Sequence, residues 1–170
     1  EIINAQIEYT GLFTGDRIMG TFKQSGLSLP LNLSRRPFER VKRPQEPREP
    51  LPYNTEEVSF TNLADSITFG GTLSKPRLDT IKYVFVLISG SGQQNRDCEI
   101  FGHKPFLVLS DYLARNGIAV LRFDDRGIGK SGGNAALSTT RDFANDVISA
   151  LRYLKGREEF SNSKFGLIGH

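Results

Sequence analysis

Apolar positions follow two different rhythms along this chain, and the change between them falls in a proline-rich stretch. Residues 1–35 read as a β-meander: 17–23 and 27–33 are strand-length runs, and Ser25-Gly26 between them has the composition of a tight turn. A lone hairpin is marginal in water, so this portion is expected to end a larger β-domain. Residues 36–53 interleave Pro37, Pro44, Pro47, Pro50 and Pro52 with charges. Proline lacks the ladder N–H and holds an extended φ, so these residues are expected to form a semi-rigid linker.

From residue 54 onward the pattern alternates between strands and helices. Runs 57–62 and 66–73 read as paired strands with Ala64-Asp65 near their turn. The near-continuous apolar runs 81–89 and 118–123 are those of strands covered on both faces. Residues 105–116 predict a helix: Pro105 suits the first turn, Phe106, Leu109 and Leu113 share a face, and Asn116-Gly117 stops it. The clearest helix is 139–155, with Phe143, Val147, Leu151 and Leu154 on one stripe, threonines at its start and Gly156 at its end. A further strand starts at 164. The order β-β-β-α-β-α-β implies an α/β sheet turning parallel, with helices on its faces.

Composition narrows this picture modestly. The 170 residues are 38% hydrophobic and 24% charged, which fits a globular chain. The net charge is +3, and the densest basic cluster, Arg35, Arg36, Arg40, Lys42 and Arg43, is broken by Pro37, Glu39 and Pro44, unlike a nucleic-acid footprint. No apolar run approaches the roughly 18 residues of a membrane span. Cys98 is the single cysteine, which excludes an internal disulfide and a cysteine-based metal site. The chain opens at Glu1, already inside a strand-like pattern, leaving room for an upstream signal peptide and hence for a bacterial extracytoplasmic location.

Open α/β sheets bind ligands at the carboxyl ends of their strands, and three such ends carry unusual residues. After the 81–89 run comes Ser89-Gly90-Ser91-Gly92-Gln93, where glycines let the backbone turn sharply and present N–H groups. An ordinary glycine-rich turn would read the same way. After the 118–123 run comes Asp124-Asp125-Arg126-Gly127-Ile128-Gly129-Lys130-Ser131-Gly132. Its tail resembles a phosphate-binding loop, but Asp124 stands where that loop needs glycine and would repel phosphate. The preferred reading is a structural turn in which Asp124 accepts backbone N–H bonds and Arg126 is held by neighbouring carbonyls or carboxylates. The third end is Gly169-His170, which is how a G-x-S-x-G nucleophile elbow begins.

Together these segments resemble bacterial α/β-hydrolase esterases of the dienelactone-hydrolase-like kind that carry an extra N-terminal β-domain. The resemblance rests on Ser89-Gly90-Ser91-Gly92, Asp97, Phe101-Gly102-His103-Lys104-Pro105-Phe106, Asp124 to Ser131, Asp142-Phe143-Ala144 and Gly166 to His170. It extends back through residues 43–47 to 20–24. It implies an α/β-hydrolase fold, here the first five strands of a mostly parallel sheet over 54–170, following the linker at 36–53 and the end of a β-domain at 1–35. It also implies a serine hydrolase acting on carboxylic esters through an acyl-enzyme, with small-molecule substrates and no metal or organic cofactor. In the family's chain order of Ser, Asp, His, all three triad members fall beyond His170, so these 170 residues alone are expected to be inactive.

By the same resemblance, Ser91 supplies one oxyanion-hole N–H, with Gly92 and Gln93 as alternatives. Relatives commonly carry proline where this chain has Gln93. Gly169 and His170 approach the elbow without being the catalytic base, and Asp124, Arg126, Gly127, Gly129 and Ser131 form a structural loop. His103 is expected to anchor its loop, Arg96 and Asp97 to pair with each other or line the pocket mouth, and Cys98 to be inert. A peptidase or acyltransferase on the same fold, and a non-catalytic binding module, are the competing readings.

Overall fold

The computed structural model describes residues 7–35, 43–90 and 92–170. They fall into two compact units, Glu1–Lys42 and Arg43–His170. Division thus occurs inside the proline-rich stretch. Residues from Arg43 on belong to the second unit, where the Arg43 guanidinium donates to the carbonyl of Phe101 at 2.7 Å.

The first unit is an antiparallel meander of β1 (Ile7–Phe13), β2 (Arg17–Gln24) and β3 (Leu27–Ser34). The β2–β3 turn has φ of 49° at Ser25 and 85° at Gly26, the two positive values of the hairpin turn that matches strand twist. Register places Tyr9 opposite Phe22 and Phe22 opposite Leu29. Because side chains alternate across a strand, Ile7, Tyr9, Phe13, Ile18, Phe22 and the four leucines of β3 share one face, while Glu8, Lys23 and Ser28 share the other. No described residue of this unit is buried.

The second unit has a five-stranded sheet in the order β4 (Tyr53–Asn62), β5 (Ile67–Pro76), β7 (Ile118–Phe123), β6 (Tyr83–Ile88), β8 (Lys164–Gly169). β5 runs against both of its neighbours, and β6 runs parallel to β7 and β8. Four strands therefore point one way and β5 the other, so the sheet is mixed. The β4–β5 ladder extends beyond the expected 57–62 and 66–73, beginning at Tyr53 opposite Pro76. Polar Asn54 to Glu56 hid this extension from the pattern, but Tyr53 is buried and its hydroxyl donates to Asp111 at 2.8 Å.

One helix lies on each face of the sheet. α1 (Pro105–Arg115) sets Phe106, Leu109 and Leu113 with Leu87 and Val120, while α2 (Thr140–Lys155) sets Val147, Ala150 and Leu154 against Val84, Val86, Leu121 and Phe69. Strand alternation explains the split. In β6, Val84 and Val86 face α2, and Leu87 faces α1. Each fully buried side chain of this size contributes about 1.5–3 kcal/mol. A stack of Phe60 on Phe69, with centroids 5.3 Å apart and Phe123 edge-on to both, fills the α2 side.

α2 begins one residue after the predicted start because Thr139 is its cap. The Thr139 hydroxyl accepts from the Asp142 N–H at 3.4 Å, and the Asp142 carboxylate accepts from the Thr139 N–H at 2.7 Å.

Candidate active site

Parallel pairing of β6 with β8 brings two of the three unusual strand ends together. Register sets Ile88 against Gly169, and the His170 N–H donates to the Ile88 carbonyl at 3.1 Å. The loop that leaves β6 thus starts beside the end of β8. Gly90 is required by this closeness, since a Cβ there would sit 2.8 Å from Nδ1 and 3.0 Å from the carbonyl oxygen of His170. Gly92 has a φ of 88°. Ser91, the expected oxyanion donor, lies outside the described residues.

Ser89 and Gln94 are both fastened to one side chain. The Asp125 carboxylate accepts from the Ser89 hydroxyl at 2.7 Å and from the Gln94 N–H at 2.9 Å, and the Asp125 N–H donates to the Gln94 carbonyl at 3.1 Å. Burial pushes the Asp125 carboxyl above the usual aspartate range, and these two donors only partly offset it. Nothing in the neighbouring sequence assigns Asp125 this role, because its partners lie 31 and 36 residues upstream. The only local signal was the Asp124-Asp125 doublet.

Asp124 belongs to the remaining strand end, after β7, and its environment is different. It accepts from the Arg96 backbone N–H at 2.9 Å, from the Arg96 guanidinium at 2.7 Å, and from the Lys130 N–H at 3.1 Å. Burial alone would raise its carboxyl, but these donors outweigh it and hold the pKa low. Gly129 has a φ of 54°, and a Cβ there would lie 2.4 Å from the Asp124 carboxylate, so only glycine lets the loop wrap this side chain. Gly127 turns at a φ of 76° and donates to the Gly132 carbonyl at 2.9 Å. The Ser131 hydroxyl closes the loop, donating to the Asp124 carbonyl at 2.7 Å and accepting from the Gly70 N–H at 3.1 Å.

Arg126 is 5% exposed and bonds Asp146 through two nitrogens; it also meets Asp65 and the Ser138 hydroxyl. Asn62 completes this buried group by donating to Asp146 at 2.8 Å. Lys130, the residue that suggested a phosphate loop, instead pairs with Glu57 at 2.8 Å.

Arg96 and Asp97 do not pair with each other. Arg96 reaches Asp124 and Glu57, whereas Asp97 turns to the buried Arg122. Neither of them lines the cavity at the site. The partners that draw them apart, Asp124 for Arg96 and Arg122 for Asp97, lie 28 and 25 residues downstream. Cys98 is buried, and its thiol is pushed up to about 11 by burial and by Asp125 and Asp97. His103 closes a tight turn by exchanging backbone bonds with Ile100 at 2.8 and 2.9 Å, and Phe101 at its tip is 95% exposed.

Ser89, Gly90, Gly92, Gln93, Asp125 and His170 line a cavity of about 1020 Å³. Its lining also includes an apolar set, Phe143, Val147 and Leu151 of α2 and Leu167 of β8, together with Arg126 and Asp146. Among the described residues no cluster of histidine, cysteine and carboxylate side chains could hold a metal ion, and no helix is long and apolar enough to cross a membrane.

A family described as serine aminopeptidase, S33, matches residues 104–170. No curated protein matches the chain. Among solved structures, the α/β hydrolase GrgF from Penicillium sp. sh18 superposes with a TM-score of 0.56 at 22% identity, covering 68% of this chain and 37% of its own. The Pyrococcus furiosus esterase Pf2001 gives 0.55 at 24% identity, covering 69% and 40%. Est1E from Butyrivibrio proteoclasticus, solved with ferulic acid bound, gives 0.52 at 19% identity, covering 66% and 42%. The chain therefore spans roughly two fifths of the length of these solved relatives. The mixed sheet with a helix on each face, the glycine-rich loop after β6 and the similarity to these structures establish one conclusion: this chain carries part of an α/β-hydrolase fold.

Proposed function

We propose that the whole protein is a serine hydrolase that cleaves carboxylic esters through an acyl-enzyme. The observation that carries this reading is the meeting of the β6 loop with the end of β8, fixed by the His170 N–H bond to the Ile88 carbonyl. An acyl-transfer site needs a nucleophile and backbone donors aimed at the oxyanion it creates, both within about 3 Å of one carbonyl. A serine in the position after His170 would stand beside Gly90 and Gly92, where the loop N–H groups are. In this reading Ser91 and Gly92 provide one half of the oxyanion hole. The residue after the nucleophile provides the other.

Ester hydrolysis is favoured over peptide hydrolysis by the solved relatives, of which two named above are an esterase and a protein holding an aromatic acid. The apolar wall of the cavity suits the acyl or aryl part of such a substrate. At about 1020 Å³ the cavity stands at the upper end of the range for small-molecule sites. In this reading part of that space is filled by further segments of the whole protein, since the solved relatives are matched over only 37–42% of their own length. The triad lies outside these 170 residues, so this portion alone is inactive.

Turnover of p-nitrophenyl esters by the whole protein, followed on the millisecond scale, tests the reading. A burst of nitrophenol equal to the enzyme concentration is expected. Cleavage of aminoacyl-anilides with no cleavage of esters would replace it with the peptidase alternative.

A further inference from the structure

We propose that Asp125 is a positioning residue for oxyanion stabilisation, its carboxylate fixing both ends of the Ser89–Gln94 loop so that the N–H groups between them are held in place before substrate arrives. This rests on the hydrolase reading above.

The β6 loop is short of braces of its own. Its centre is glycine-rich, and glycine gains more freedom than any other residue when its backbone is released. Donors aimed at a developing charge are effective only when they need no reorganisation at the moment of reaction. Something must therefore hold the loop, and Asp125 bonds both of its flanks: 2.7 Å from the Ser89 hydroxyl, 2.9 Å from the Gln94 N–H, and 3.1 Å between its own N–H and the Gln94 carbonyl. Ser89 and Gln94 flank the turn. Both flanks are thus held by one buried side chain that follows directly on β7.

Asp125 differs from its neighbour in what surrounds it. Asp124 has the Arg96 guanidinium at 2.7 Å, whereas among the described residues no cation pairs with Asp125. Its carboxylate is 8% exposed at the level of the residue and lines the cavity beside Ser89, Gly90 and His170. A fold that wanted only a stable turn here would gain by making this position apolar, because an unpaired buried carboxylate is costly. The fold instead places the acceptor where, among the described residues, its hydrogen bonds come from Ser89 and Gln94. Burial pushing the carboxyl upward is the physical sign of that cost.

The whole protein tests this with Asp125→Ala, Asp125→Asn and Ser89→Ala, assayed on one p-nitrophenyl ester and inhibited by a trifluoromethyl ketone of matching acyl chain. That ketone binds as an oxyanionic hemiketal. Asp125→Ala is expected to lower kcat on the order of 10- to 100-fold with KM changed less than about threefold, the inhibition constant of the ketone rising in step with kcat/KM. Asp125→Asn, whose single amide oxygen can accept from Ser89 or from the Gln94 N–H but not from both, should fall between Ala and wild type. A merely structural role would instead lower active-enzyme concentration and leave kcat per titrated site and the inhibition constant unchanged; that result overturns the proposal. Should Asp125→Ala not fold, Ser89→Ala removes one of the three bonds alone. A loss of several-fold in kcat with the same weakening of the ketone supports the proposal, and an unchanged kcat overturns it. Failure of the wild-type protein to cleave the ester or bind the ketone would instead remove the hydrolase reading itself.

Discussion

Two loops leave neighbouring strands at the same edge of the sheet, and they are built on opposite plans. The loop after β7 spends nearly every polar atom on itself and its neighbours: Asp124 takes Arg96 and Lys130, Arg126 takes Asp146 and Asp65, and Ser131 bridges Asp124 and Gly70. The loop after β6 is mostly backbone, and the described bonds fasten it at its two ends to Asp125. A saturated loop can brace a fold but has nothing left for a ligand. A glycine-rich loop whose backbone is to meet a ligand needs something else to hold it still. The two plans are therefore complementary, and the β7 loop is the frame in which the β6 loop is mounted.

Removing the brace should produce the largest effect. Arg126→Ala leaves Asp146, 2% exposed, without its cation, and breaking a buried pair on one side costs about 3–5 kcal/mol. Denaturant unfolding of the whole protein should show that loss as a lower midpoint with little change in slope. Gly90→Ala is the matching change in the β6 loop. Its new Cβ would press on His170, displacing the loop from the end of β8; the expected result is a fall in kcat of about 10²-fold, the scale of a 1 Å misplacement, with a smaller shift in melting temperature than Arg126→Ala gives. Equal stability losses in the two variants would erase the contrast between brace and working loop.

Ser131→Ala should come next. It strips the Gly70 N–H and the Asp124 carbonyl of a shared partner, for a cost of about 1–3 kcal/mol in stability, with kcat unchanged once the fraction folded is accounted for. The smallest effect concerns Glu57, at the rim of the β7 loop. Burial acts to raise its carboxyl, but hydrogen bonds from Lys130, Thr72 and Arg96 outweigh that and hold it at about 2. A folded-state pKa below the unfolded one means stability is present at neutral pH and drains away as pH falls from about 4.5 toward 2. Because Glu57 is more than half exposed, solvent screening keeps this below about 1 kcal/mol. Melting temperatures of wild type and Glu57→Gln should therefore converge over that acidic interval and differ slightly above it.

How much of this could be read from the residues depends on how far apart in the chain the cause and its partner lie. β7 has the bounds its apolar run suggested, and α2 differs by the single residue Thr139, because burial on both faces and a 3.6-residue stripe are local signals. β1 was not delimited: Gly11 interrupts its alternation, and only pairing with β2 makes it a strand. The glycine-rich loop and the Gly169-His170 strand end were legible as residue types. What they touch was not. The Asp125 clamp, the Arg96 to Asp124 bonds and the Arg126 to Asp65 pair span 28 to 61 residues of chain, and no window of periodicity reaches that far. Pairing of Arg96 with Asp97, expected from their adjacency, gives way for the same reason: their partners Asp124 and Arg122 lie 28 and 25 residues downstream.

The central claim is that the β6 loop and the end of β8 form one acyl-transfer site whose nucleophile directly follows His170. Treating the whole protein with a fluorophosphonate and mapping the adduct by peptide mass tests it most directly. The account predicts stoichiometric labelling of the residue after His170, and none in a protein consisting of these 170 residues. Labelling of the 170-residue protein, an adduct elsewhere in the chain, or a folded whole protein that does not react would contradict it.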